Sequence, residues 1–201
     1  MNKYVYSLGV ALLFAALSGC GAAKMIAAKT QGERSDIFTE AAGSEPAPAG
    51  YADVIITADI KTHLEGCYKG ESASSAHGKE TYPYLFNMDG QAVLWKAEGK
   101  KHELPKYDHD GKTSRNPEAG EGMKYVLKKK IRLRAGAHRL FFGLPEDDYY
   151  REIPILVKEG ETLPLDFKPV YRYKTLPTRT QTFMRGVSHY DIFVNNVLVT
   201  L

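Results

Sequence analysis

Lys128, Lys130, Arg132 and Arg134 stand two residues apart in the run KKKIRLR. On a β-strand, period two places all four on one face. Such a row of cations suits phosphate or carboxylate groups, as in peptidoglycan, lipid headgroups or acidic glycans. The same row on a solvated outer face would instead keep sheet edges from pairing with other chains. A second group, His102, Asp108, His109 and Asp110, falls in the polar stretch 97–122. Imidazole and carboxylate suit a divalent metal. The spacing argues against one: in DHDG the glycine comes two residues too early for a calcium loop, and no H-E-x-x-H occurs. A solvated Asp-Gly turn is the preferred reading, with no metal and no other cofactor. His189-Tyr190-Asp191 offers an acid–base pair without a nucleophile motif, so His189 reads as a surface or core-edge histidine. The two cysteines, Cys20 and Cys67, make no C-x-x-C, which removes redox-pair and c-type haem chemistry. Cys67 reads as a partly buried small apolar residue. With no G-x-S-x-G or zincin signature either, no catalytic residue is assigned and the chain reads as a non-enzyme.

Short strands must position these residues. Of the 201 residues, 43% are hydrophobic and thirteen are tyrosine, a composition that favours strands over helices. Net charge is +3 on 27 basic and 24 acidic residues, too balanced for a nucleic-acid partner. Val54, Ile56 and Ile60 alternate in the first strand of the folded part. Tyr82, Tyr84, Phe86 and Met88 alternate before Asp89-Gly90, and Val93 and Trp95 after it, which predicts a hairpin with a type I′ turn. Over 131–171, apolar positions alternate between breaks at Ala135-Gly136, Leu144-Pro145 and Glu159-Gly160. Pro154 and Pro164 lack an N–H, so their strands are expected at edges or bulges. The stretches 61–80 and 97–122 read as loops, the second a long insertion, functional or mobile.

Residues 1–20, MNKYVYSLGVALLFAALSGC, place Lys3 before an apolar core and small residues after it. The core is too short to span about 30 Å of hydrocarbon, so it reads as a signal peptide over 1–19. The ending Leu17-Ser18-Gly19-Cys20 resembles the lipobox of bacterial lipoproteins. That resemblance implies diacylglycerol on the Cys20 thiol, cleavage before it and acylation, as by palmitate, of the new amine. Two or more acyl chains give stable anchoring. Gly21 rather than aspartate after the cysteine implies the outer membrane, by the sorting rule of enteric bacteria. Residues 20–50, rich in Ala, Gly and Pro, are expected to form a flexible tether, and 51–201 the folded domain.

Three segments resemble the PEGA-domain pattern: Asn87-Met88-Asp89-Gly90; Ile131-Arg132-Leu133-Arg134-Ala135-Gly136-Ala137-His138-Arg139-Leu140; and Val157-Lys158-Glu159-Gly160. The family's naming motif survives here only in its second half, Gly136-Ala137, and the insertion after Trp95 departs from the family. The resemblance implies a small Ig-like β-sandwich of the bacterial envelope with no shared catalytic residues. The expected architecture is therefore an all-β, antiparallel, Greek-key sandwich of seven to nine strands. The expected function is a membrane-tethered binding or assembly module facing the periplasm or cell surface. Its partner would be another envelope protein or a cell-wall glycan. The alternatives are an anionic-glycan binder using the 128–134 cations, and a metal-dependent enzyme using the 97–122 loop.

Overall fold

A computed structural model describes residues 21–43, 45–174 and 180–199; the leader and Cys20 lie outside them. Among the described residues the chain forms one short helix and ten strands, so the all-β class expected from sequence holds. The helix α1 is Gly21–Thr30. The strands are β1 Phe38–Glu40, β2 Tyr51–Thr62, β3 Thr81–Met88, β4 Gln91–Leu104, β5 Gly120–Arg134, β6 Gly136–Leu144, β7 Tyr149–Val157, β8 Thr162–Tyr171, β9 Val187–Val194 and β10 Val197–Leu198.

Hydrogen bonding joins them in the order β10-β9-β8-β2-β5-β4-β3-β6-β7, one sheet that curls on itself. The expectation of wholly antiparallel strands fails at one place: β2 and β8 run parallel, with Val54 opposite Leu163 and Ile56 opposite Leu165. Parallel neighbours need a long crossover. Here everything from β3 to β7 supplies it, a long-range pairing that local turn signals do not reveal.

β4 belongs to both halves of the curl. Gln91 to Glu98 pair with β3, and Gly99 to Leu104 pair with β5. Where β4 leaves β5, β1 takes part of the vacated edge, with Phe38 opposite Leu133 and Glu40 opposite Ile131. The 97–122 stretch is therefore not a loop throughout; the connection narrows to 105–119. Its flanks pair as a ribbon exposed at many positions, so they lack the apolar alternation that marks a strand in sequence.

The core fills the space between the two halves. Phe142 of β6 meets Phe167 of β8 at 4.2 Å between ring centres and Tyr190 of β9 at 5.0 Å. Phe86 of β3 meets Phe167 edge-on at 5.6 Å. Each fully buried phenylalanine contributes about 1.5–3 kcal/mol. The alternation expected in β3 is present: Tyr82, Tyr84, Phe86 and Met88 are all buried in this core. The hairpin turn is also as expected, with φ of 48° at Asp89 and 94° at Gly90, both in the left-handed region of a type I′ turn.

The outer face of β3 and β6 has its own cover. Leu85 and Phe141 point away from the main core and bury Ile26 of α1 between them. Lys29 pairs with Glu152 at 2.6 Å, and Asn87 donates to the Lys29 carbonyl at 2.8 Å. Further on, the Gln91 amide oxygen accepts from the Ile37 and Phe38 N–H groups, and its nitrogen donates to the Phe38 carbonyl. Trp95 Nε1 donates to Glu40 at 2.6 Å. The tether expected over 20–50 is thus docked along the body from residue 21 to residue 43. Sequence hid this because α1, GAAKMIAAKT, buries only one side chain and has no apolar stripe.

The two strand prolines differ. β7, which carries Pro154, is an edge as expected. β8 is not: it lies between β2 and β9. Pro164 is tolerated there because β9 pairing begins at Leu165, and Pro164 is needed only as an acceptor, from the Asn195 N–H at 2.9 Å.

Candidate functional site

β2 ends at Thr62, and the chain then makes an eighteen-residue excursion, 63–80, before β3. Its two ends are stitched together. Gly78 N–H donates to Thr62 Oγ1 at 3.0 Å, and Tyr125 Oη donates to the Lys79 carbonyl at 2.7 Å. Gly78 sits at φ 74°, and a Cβ there would lie 2.0 Å from the Glu65 nitrogen, so only glycine closes this loop. The closure folds His63, Glu71 and His77 against one another at one end of the sheet, where ligand atoms of the three lie within 4.8 Å. No other group of three such residues gathers this way among the described residues.

Two short 3₁₀ turns complete the walls. In Pro145–Asp147, proline at the first position and the left-handed Asp148 fix the turn. Glu146 accepts from the Ala76 N–H at 3.0 Å, and the Asp147 carboxylate accepts from Tyr82 Oη. In Phe183–Arg185, Thr182 Oγ1 caps the turn, and Tyr68 Oη donates to the Met184 carbonyl at 2.6 Å. Between them lies a cleft of about 490 Å³ lined by His63, Tyr68, His77, Asp147, Arg172 and Met184, among others.

The polar contacts converge on one carboxylate. His63 Nε2 is 3.4 Å and His77 Nδ1 is 3.1 Å from Glu71 Oε1. The far side of each ring is also held. His63 Nδ1 donates to the Leu64 carbonyl at 2.9 Å, and His77 Nε2 lies 3.4 Å from Asp147 Oδ2. The His77 ring stacks nearly parallel to Tyr82 at 6.0 Å, and His63 meets Tyr68 edge-on at 4.7 Å. Burial pushes the His77 imidazole down, but the hydrogen bond and charge of Asp147, with Glu71 behind them, outweigh it and hold its pKa above the ordinary value. Burial, reinforced by Asp147, pushes the Tyr82 phenol well up, so Tyr82 stays a donor.

Lys61 also lines the cleft and is 1% exposed. Its Nζ donates to the Glu118 and Gly120 carbonyls at 2.7 and 2.8 Å and sits 4.6 Å from the centre of the Phe183 ring. Burial lowers its pKa. These contacts clamp the end of the 105–119 loop to β2.

The residues singled out in sequence lie elsewhere and apart. Lys128 and Arg134 are exposed on β5. Lys130 and Arg132 both turn onto Asp53: Lys130 Nζ at 2.8 Å, Arg132 through two bonds at 2.7 and 3.1 Å. Arg132 also donates to the Glu45 carbonyl at 2.8 Å. The middle of the cationic row is thus partly neutralised, two cations sharing one carboxylate. Asp108 spends its carboxylate on its own loop, accepting from the Asp110 and Lys112 N–H groups at 3.0 and 2.8 Å. His109 and Asp110 are exposed, and His102 sits on β4 opposite Gly122. His189 and Asp191 approach to 3.6 Å on the surface, while Tyr190 between them is core. Cys67 is exposed, not partly buried: it follows a turn at Gly66 in the part of the excursion that bulges outward.

His63, Glu71 and His77 were not recognised in sequence. Their spacing fits no ligand motif, because the loop closure rather than a helix or strand period brings them together. One usable signal was present: a Gly/Ser-rich connection of this length inside a compact domain that carries two histidines and acids. No family model, curated protein or solved structure matches the chain.

Proposed function

We propose that the chain is a non-enzymatic lipoprotein of the bacterial envelope, acylated at Cys20 and held at the outer membrane. Its β-body serves as a binding or assembly module, and the cleft beside His63 and His77 is its ligand face. The observation that carries the reading is the leader: a cation, a short apolar core and small residues ending in Leu17-Ser18-Gly19-Cys20. The docking of α1 on β3 and β6 suits it, because the residues after Cys20 then lead directly onto the body. The cleft suits a ligand face because it is concave and carries convergent polar groups of both signs.

The body is read as Ig-like in the sense of the PEGA pattern. In support, the segments that carry the resemblance meet in space. His138 Nδ1 bonds Asp89 at 2.7 Å and His138 Nε2 bonds the Arg134 carbonyl at 2.8 Å, while Asp89 also accepts from the Arg139 N–H. One histidine thereby braces two turns.

The test is metabolic labelling with an alkyne fatty acid, followed by membrane fractionation of wild type and Cys20→Ala. Labelled wild type in the membrane fraction and unlabelled variant are expected. A wild-type chain that takes up no label and stays out of the membrane fraction overturns the anchor.

A further inference from the structure

We infer that His63, Glu71 and His77 form a binding site for one divalent transition-metal ion of the zinc class, with Asp147 as the residue that orients His77.

The hydrogen bonds around the two rings carry the argument. His63 Nδ1 faces the Leu64 carbonyl, which can only accept, so that nitrogen bears the proton. In the neutral ring, Nε2 then presents a lone pair, and it points at Glu71 Oε1 from 3.4 Å. His77 lies between two carboxylates, so a single proton can sit on either nitrogen; with it on Nε2, facing Asp147, the Nδ1 lone pair lies 3.1 Å from the same Glu71 oxygen. Glu71 Oε1 also accepts from Ser75 Oγ at 2.8 Å, and with the rings in these tautomers three donor atoms converge where a cation would sit. A histidine whose far nitrogen is tied to a carboxylate or a backbone carbonyl is the usual support of a metal ligand. Both supports are present here.

Dimensions agree. Ligand bonds of about 2.0–2.2 Å in a tetrahedral site set donor atoms about 3.3–3.5 Å apart. Two of the three donor pairs stand at 3.4 and 3.1 Å, and the third is within 4.8 Å. Two imidazoles and a carboxylate select zinc, cobalt, nickel or copper over calcium and magnesium, which prefer oxygen alone. Three protein ligands leave a fourth position, which the cleft can supply with water or with a donor group of the ligand. The other cation able to fill the gap is the proton, giving imidazolium rings around Glu71, and the experiment separates the two.

The full chain in detergent micelles is titrated with Co²⁺, then with Zn²⁺. One equivalent of Co²⁺ with the intense visible absorption of a four-coordinate ion, displaced by Zn²⁺, is expected. His63→Gln, Glu71→Gln and His77→Gln should each weaken binding at least about 10-fold. Asp147→Asn should weaken it about 10–100-fold while keeping the Co²⁺ spectrum, the mark of a positioning role. Folded wild type that binds neither ion overturns the site, as does binding that His63→Gln and His77→Gln leave unchanged. Should a variant fail to fold, proton NMR of wild type decides: substoichiometric Co²⁺ must shift the His63 and His77 ring signals first, and a response confined to His109 and His189 counts against the inference. The inference rests on the cleft as ligand face and not on Cys20. A chain that is acylated but metal-free sinks the site alone, and one that binds metal without acyl label sinks the anchor alone.

Discussion

The chain has two long polar connections, 63–80 and 105–119, and they fold by opposite means. Both carry histidine, acids and glycine. In 105–119 the acid at the tip serves nearby backbone: Asp108 accepts from N–H groups two and four residues on. Only its end is bolted to the body, where Lys61 holds Glu118 and Gly120, and Tyr171 donates to Glu118 at 2.9 Å. In 63–80, loop and body carboxylates reach across. Glu71 meets His63 and His77 inside the loop, and Glu146 and Asp147 reach in from a turn some seventy residues away. The difference shows what turns a loop into a site. One Asp108 oxygen takes both N–H groups of its own turn, while Glu71 Oε1 faces two imidazole rings, one of them held from outside the loop by Asp147.

Glycine substitutions should break this contrast most strongly. Gly78→Ala forces a Cβ into the Glu65 backbone at positive φ, and a loss of about 3 kcal/mol or more is expected in chemical denaturation. Gly111→Ala, at φ 73° with open space around it, should lose only about 1–2 kcal/mol. Equal losses would mean that the two loops are held alike. Asp53→Asn comes next, because Asp53 is a buried acid that reaches across to the neighbouring strand β5. Its hydrogen bond to Arg132 outweighs burial and holds its carboxyl below the ordinary range, with Lys130 assisting. The sign follows. Its stabilising contribution is complete above the unfolded value of about 3.9 and fades as pH falls through the lower folded value. Asp53→Asn should cost about 2–3 kcal/mol at neutral pH and flatten the stability profile below about pH 4. An unchanged acid limb would refute the pairing.

Tyr125→Phe removes the hydroxyl that holds the Lys79 carbonyl and should cost about 1 kcal/mol. Hydrogen exchange should quicken in 63–80 and stay the same in 105–119. Asp108→Ala should do the reverse, loosening 105–119 for about 0.5–1 kcal/mol and leaving 63–80 untouched. Cys67→Ser closes the series: it is exposed, so thermal stability should shift by no more than about 0.5 kcal/mol.

What was legible in sequence was local. The Asp89-Gly90 turn and the alternation of β3 both follow from period and turn chemistry. The parallel β2–β8 pair and the docking of β1 follow from neither, because their partners lie about a hundred residues away. The 128–134 row was visible as charge, but Asp53, the acid that Lys130 and Arg132 share, sits on another strand. Loop length points to 97–122, whose flanks are paired as strand. The loop that gathers the histidines was the quieter one, since its chemistry depends on where Gly78 brings the chain back.

β4 changes partners between Glu98 and Gly99. The body is therefore creased like one folded page and not stacked like two loose ones. Gly99 lies in that crease, where a Cβ would press on Tyr125, Met123 and the Lys79 carbonyl. A bulky residue at this spot would pry the leaves apart and disturb, through Tyr125 and Lys79, the hem of the histidine loop as well. Architecture and cleft share a spine at that glycine, and a lesion there reaches both.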